Sequence, residues 1–291
     1  MRVVVTGAAG FIGAHAADGL RAGGHSVVGL DLRTPGEEHG DIRQPLDPGR
    51  LAGADVVVHL AALAGVVPSF RRPAEYHDTN VVGTANVLGA AKAAGVPRVV
   101  MASSSSIYGE CDGPASERRA PAPLSPYAST KVAAEALAAS HASRTMEVLV
   151  VRPFTVFGPG QRPDMLVARM LSGERLTLWE FERDFTPVAA VARALVAGCT
   201  VDLPAPYTVV NLGAGRPVAA HDLLDAVADV TGHRPAVTWG AARSGEPVRT
   251  WADRRWAERL LGFEADGLHE TLALQYDAMR GARVGPLEQA G

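Results

Sequence analysis

Short runs of β-branched residues alternate with Ala-rich stretches along the chain, and the polar positions gather at the joints between them. That rhythm predicts a parallel sheet with helices on both faces, an α/β fold of the Rossmann-type doubly wound kind. Arg2–Thr6 reads as the first strand, Phe11–Ala22 as the first helix and Ser26–Asp31 as the second strand. Strands follow at 54–60, 96–103 and 147–152, with helices at 79–94 and 127–144 between them. The Pro-rich stretch 113–126 reads as a surface loop.

After Arg152 the rhythm changes. Residues 153–185 read as irregular; a helix at 187–197 and a strand at Tyr207–Leu212 then return to the sheet. Later helices are predicted at 221–231, 254–261 and 268–279. The expected division is a cofactor-binding domain of residues 1–153 and 187–212, and a smaller, discontinuous substrate domain of 154–186 and 213–280. Residues 281–291 would be a loose tail.

With 291 residues, 47% of them hydrophobic, the chain can bury a full core. A net charge of −3 and the lack of a long basic run speak against nucleic acid as a partner. Cys111 and Cys199 are too few and too far apart for a disulfide framework or a zinc site, and the His residues show no metal-ligand spacing, so no metal is expected. No apolar window approaches the roughly 18 residues of a membrane span. The expectation is a soluble protein of the reducing cytoplasm.

Candidate chemistry begins at Gly7, Gly10 and Gly13, on the first strand–helix turn, with Asp31 ending the next strand. Glycines there let a pyrophosphate approach the helix N-terminus, and Asp31 suits an adenosine ribose, which favours NAD; Arg33 beside it leaves NADP open. Lys92 and Lys131 are the two lysines of the chain, and Lys131 lies four residues after Tyr127. An ammonium there would favour the phenolate and make Tyr127 a general base.

The glycine spacing, the run Ser103-Ser-Ser-Ser106 and Tyr127-x-x-x-Lys131 resemble the extended short-chain dehydrogenase/reductase superfamily. More narrowly they resemble its NAD-dependent nucleotide-sugar epimerase/dehydratase family. Asp41-Ile-Arg43, His59-Leu-Ala-Ala62, Asn80-Val-Val-Gly-Thr84, Arg183-Asp-Phe185, Asn211-Leu-Gly-Ala-Gly215 and Thr250-Trp-Ala-Asp253 follow in the expected order. The resemblance implies Ser104, Tyr127 and Lys131 as the catalytic set. It adds Phe11, Ile12, Asp41, Ile42, Leu60, Ala61, Ala62, Asn80 and Pro153 to the cofactor contacts.

Where dehydratases of the family carry an Asp-Glu pair after the serine, this chain has Ser105-Ser106, without an acid for eliminating water. The segment Phe154-Thr-Val-Phe-Gly-Pro159, continuing through Arg162-Pro-Asp-Met165, is similar to that of UDP-glucuronate 4-epimerases. By that match Ser105, Ser106 and Thr155 would hold a sugar carboxylate, and Arg162, Arg183 and Arg243 the diphosphate. Glu246 would take the uridine ribose and Trp179 the uracil. The implied partner is a UDP-sugar and the implied assembly a homodimer. A UDP-glucose 4-epimerase, an NAD(P)H-consuming 4-ketoreductase and a cofactor-sensing protein without turnover stay open. The departures fall in the substrate half: Val67 replaces an Arg, Ala190 an Asp, and Glu180-Phe-Glu182 a Gly-Asp-Gly loop.

Overall fold

The computed structural model describes residues 1–32, 38–242 and 244–284. Arg33 and Arg243, both expected at the site, lie outside the described residues, as do 285–291 of the predicted tail.

The elements run β1 (Arg2–Thr6), α1 (Phe11–Ala22), β2 (Ser26–Asp31), β3 (Glu38–His39), β4 (Val56–His59), α2 (Val66–Arg71), α3 (Pro73–His77) and α4 (Gly83–Ala93). Then come β5 (Arg98–Ala102), α5 (Pro126–His141), β6 (Glu147–Pro153), β7 (Thr155–Phe157), α6 (Leu166–Leu171), β8 (Leu176–Leu178), β9 (Glu182–Pro187) and α7 (Val188–Gly198). The chain closes with β10 (Tyr207–Leu212), β11 (Pro217–Ala219), α8 (Ala220–Thr231), β12 (Val237–Trp239), α9 (Arg255–Leu261) and α10 (Leu268–Val284).

Among the described residues the main sheet has seven strands in the order β10-β6-β5-β4-β1-β2-β3. All its pairings are parallel. Side chains of a strand alternate between faces, so each strand feeds two cores. Val3, Val5, Val58, Val100 and Leu149 pack with Leu20 of α1 and Val191 and Leu195 of α7. Val4, Val57, Val99, Met101 and Val148 pack on the other face against Leu88 of α4 and Ala134 and Ala138 of α5. The strand order turns back between β1 and β4, which opens a crevice at their C-terminal ends.

In a third core Phe157, Leu178, Phe181 and Phe185 meet Leu223 and Val227 of α8 and Leu272 of α10. Around it lie the strands β11-β9-β7 and the pair β12-β8. Residues 153–185 are therefore not irregular: they hold β7, α6, β8 and most of β9, elements too short to show a periodicity.

The helix predicted at 79–94 starts instead with a π-helical turn, Asp78–Val82, before α4. α9 departs from the expected division, because Ala257, Leu261 and Phe263 join the core of the large domain. α10 runs to Val284, so the loose tail expected from Gly281 does not hold for residues 281–284. No described helix is long and apolar enough to cross a membrane.

Candidate active site

The serine run leaves β5 at the C-terminal edge of the sheet and turns at once into a 3-10 turn, Ser105–Tyr108. Ser104 caps that turn by accepting from the Ser106 N–H at 3.2 Å, and its Oγ lies 2.6 Å from the Ser106 Oγ. Facing it is the start of α5. Ser125 caps that helix by accepting from Ala128 N at 3.2 Å, and Pro126 supplies a first-turn residue needing no N–H partner. Tyr127 and Lys131, four residues apart, therefore share one helix face. The Ser104 hydroxyl hydrogen-bonds the Tyr127 phenol, and the Tyr76 ring stands edge-on to Tyr127 at 6.2 Å. Ser104, Tyr127 and Lys131 are thus brought together, as expected.

The charges are arranged differently from the expectation. Burial pushes the Tyr127 phenol up; the Ser104 hydrogen bond opposes that, and Tyr76 adds to it. The Lys131 ammonium donates to the Ala102 carbonyl at 3.0 Å, and burial pulls it down to about 8 against the charge of Glu135. In this state Lys131 does not hold the phenol low, because desolvation outweighs the attraction at both groups. The charged forms of both groups are therefore disfavoured where they stand.

His59 ends β4 below this cluster, and its tautomer follows from its partners. Thr84 Oγ1 donates to the Asn80 carbonyl at 2.7 Å, so it must accept from His59 Nε2 at 3.1 Å. Nδ1 is then the acceptor for the Thr6 hydroxyl at 2.7 Å. Burial first, and Lys131 second, lower His59 to about 3, which keeps the imidazole neutral.

Whether the residues present fit a dinucleotide is answered at the first turn. Gly7 has φ +72°, and a Cβ on it would stand 2.6 Å from Ala61 N. A Cβ on Gly13 would overlap the Gly7 carbonyl oxygen. The turn is closed to side chains and open to a pyrophosphate over α1, flanked by Gly10, Phe11 and Ile12. Asp31 accepts from Ala9 N at 3.1 Å, which fixes its carboxylate at the end of β2. Ile42 is buried in the core beneath α4, and Asp41 is drawn into an ion pair with Arg43 at 2.7 Å. Leu60, Ala61 and Ala62 follow β4 along the crevice, and Pro153 ends β6. Asn80 serves the protein: its amide accepts from Leu63 N at 2.8 Å and donates to Leu63 O and Thr130 Oγ1, both at 3.0 Å. That clamp holds the segment carrying Ala61 and Ala62 in place.

On the substrate side, Phe154, the residue before β7 and its Thr155, stacks on Tyr108 of the serine turn at 6.3 Å. Arg162 is paired with Asp164 at 3.0 Å; burial raises the Tyr76 phenol, against the charges of Arg72 first and Arg162 second. Arg183 and Glu246, both expected substrate contacts, meet in an ion pair at 3.1 Å, with Arg183 also donating to Pro247 O at 3.1 Å. Trp179 is only 6% exposed and stands 5.9 Å from Phe181 inside the smaller core, so little of its face is left for a base.

Sequence reasoning passed over two groups. Asp184 is fully buried and accepts from Ala214 N, Gly215 N and Ala252 N at 2.7, 2.9 and 3.0 Å, joining β9 to two later segments. Burial pushes its carboxyl up to about 6 against those three N–H groups. Beneath the serine turn, Arg152 holds Glu135 through Nε at 2.9 Å and Nη2 at 2.6 Å, and donates to Tyr108 OH at 2.7 Å. Tyr108 in turn donates to Asn211 Oδ1 at 2.7 Å. The available signal was Glu135 itself, the one acid in α5, on its buried face with Ala134 and Ala138.

Known proteins are similar to this chain in sequence and fold. The UDP-glucuronate 4-epimerase of Thermodesulfobacterium geofontis (strain OPF15) is 35% identical over 226 residues, covering 72% of this chain and 67% of that one. The structure of MoeE5 in complex with UDP-glucuronic acid and NAD superimposes with a TM-score of 0.92 at 42% identity, over 97% of this chain and 100% of that one. MoeE5 has also been solved in complex with UDP-glucose and NAD. The UDP-glucuronic acid 4-epimerase from Bacillus cereus, in complex with UDP-glucuronic acid and NAD, gives a TM-score of 0.90 at 30% identity, over 97% and 100% of the two chains. The sequence model of one family matches residues 3–213, the whole main sheet and β7–β9 with it. The chain belongs to the NAD dependent epimerase/dehydratase family.

Proposed function

We propose that this protein is a UDP-sugar 4-epimerase whose main substrate pair is UDP-glucuronate and UDP-galacturonate. The observation that carries the reading is the serine turn. Ser104 is bonded to Tyr127, and next to it, where an eliminating enzyme needs an acid, stand only the hydroxyls of Ser105 and Ser106. Together with the Thr155 hydroxyl at the start of β7, these uncharged donors are of the kind that suits a carboxylate through charge-assisted hydrogen bonds.

In the mechanism, Ser104 orients the C4 oxygen and Tyr127 takes its proton as the C4–H bond breaks. Lys131 stabilises the phenolate that Tyr127 must become. NAD, when bound, supplies the acceptor for the C4 hydride and gives it back. The 4-keto sugar turns about its diphosphate end, held by Arg162 and Arg183, and presents its other face. Tyr127 then returns the proton to the same oxygen, so nothing is consumed. Glu246, released from Arg183 or shared with it, would take the uridine ribose.

The buried, unpaired Cys111 and Cys199 support a cytoplasmic setting, and the packed pair α4 and α5 is the face on which we place a homodimer. Light scattering at micromolar concentration gives twice the chain mass if that is right.

The test of the reaction is incubation with UDP-glucuronate, without added cofactor, and chromatography of the nucleotide sugars. Conversion to UDP-galacturonate supports the reading. Conversion of UDP-glucose alone, the sugar MoeE5 also binds, would move the assignment to a neutral hexose. No conversion of either would overturn epimerisation.

A further inference from the structure

Lys131 is 6% exposed, and its ammonium makes one hydrogen bond to protein, to the Ala102 carbonyl. A buried ammonium with one neutral partner needs a countercharge to stay protonated. Glu135 stands one turn further along α5, itself 7% exposed. Its order is the less favourable one for a helix-stabilising pair, Lys before Glu, and its carboxylate bonds Arg152 rather than Lys131. Arg152 is in turn held by Tyr108 OH at 2.7 Å and the Glu117 carbonyl at 3.0 Å. The carboxylate is therefore pinned from the far side, at a fixed distance from the ammonium, in a region of low dielectric where its charge carries.

We propose that Glu135, fixed by Arg152, is a positioning residue for the reaction: its charge keeps Lys131 protonated, and so able to stabilise the Tyr127 phenolate. This rests on the Tyr127–Lys131 chemistry proposed above.

The titratable groups facing Lys131 leave Glu135 as its countercharge. His59 at the end of β4 is neutral, since burial takes it to about 3. Tyr127 on the same helix, Tyr108 in the serine turn and Tyr207 on β10 are all pushed up by burial, the last two to about 12. Within the ion pair on β6 and α5, Glu135 is the member that acts on Lys131, raising it against the larger lowering by burial. Burial alone would lower Arg152, but Glu135 and Tyr108 raise it, so it stays charged and keeps the carboxylate in place.

The sequence makes this directly measurable. Lys92 and Lys131 are the two lysines, and Lys92 is exposed at the end of α4. Protein grown with lysine labelled at 13Cε thus gives two signals, and Lys92→Arg assigns them. The Lys131 signal should titrate near pH 8 in the wild type, and about one pH unit or more lower in Glu135→Gln, with Lys92 unmoved. Glu135→Asp, which draws the charge back by one methylene, should lower it by less, and it decides the matter if the amide variant does not fold. The alkaline limb of kcat should move down in step, while KM changes little. A Lys131 midpoint unchanged in both variants, or a uniform loss of kcat at every pH, overturns the proposal. The titration needs no turnover, so a failure of the epimerase reading would show separately in the conversion assay.

Discussion

Tyr127 and Lys131 face the crevice from one turn of α5, and burial disfavours the charged form of each. The phenol, raised above its usual range, keeps its proton until a neighbour stabilises the phenolate, whereas the ammonium drawn down to about 8 gives up a proton more readily than a free lysine. Removing the phenol hydroxyl with Tyr127→Phe should cut turnover by about 100-fold or more while bound NAD is retained, as read from absorbance of released cofactor. Lys131→Met separates activity from folding more sharply. The folded pKa of Lys131 lies below its unfolded 10.5, so the native state binds fewer protons and its charge is a cost at all pH below about 8. That cost fades as pH rises to 10.5, where both states are neutral. The Met variant should lose turnover yet gain up to about 3 kcal/mol of stability at pH 7, read from urea midpoints. A destabilised Met variant would contradict the assignment of Lys131 as a strained, functional cation.

At the scale of elements, the first strand–helix turn and β4 each carry a specific constraint. Gly13→Ala puts a methyl group into the Gly7 carbonyl, so the turn must open, and NAD binding should weaken by about tenfold or more, measured by calorimetry on the stripped protein. His59 locks β1, β4 and α4 as a neutral imidazole. Its folded pKa of about 3 is below the unfolded 6.5, so its contribution is fully present above pH 6.5 and is lost as pH falls toward 3. His59→Gln, which keeps one donor and one acceptor, should flatten the acid side of the stability curve by up to about 5 kcal/mol. The elements also show where the sequence was legible. β1, α1, β2 and α5 were readable because their strands are short apolar, β-branched runs and their helices start directly after the glycine turn at Gly10 and after Pro126. β7 and β8, of three residues each, leave no period to read, and they exist because the third core holds them.

Across the whole molecule, the site depends on contacts between residues far apart in the chain. The glycines, Ser104, Tyr127 and Lys131 stood out because their chemistry needs those residue types at close spacing. The layer below them did not: Arg152 reaches Tyr108 across 44 positions and Tyr108 reaches Asn211 across 103. Trp179 and Asn80, expected as ligand contacts, also have structural places that the sequence did not show, one in a core and the other in a loop clamp. Asp184 ties β9 to the segments at 214–215 and 252 through three buried N–H groups. Asp184→Asn turns an amide donor toward one of them and should cost about 2–4 kcal/mol, with KM for the UDP-sugar rising more than kcat falls. In the proposed reaction, hydride leaves and returns at C4 while Tyr127 moves the proton. The most direct test is UDP-glucuronate carrying deuterium at C4, incubated in ordinary water without added cofactor. UDP-galacturonate that keeps the deuterium at C4 is the predicted result. Product with hydrogen at C4, or no product at all, would contradict it.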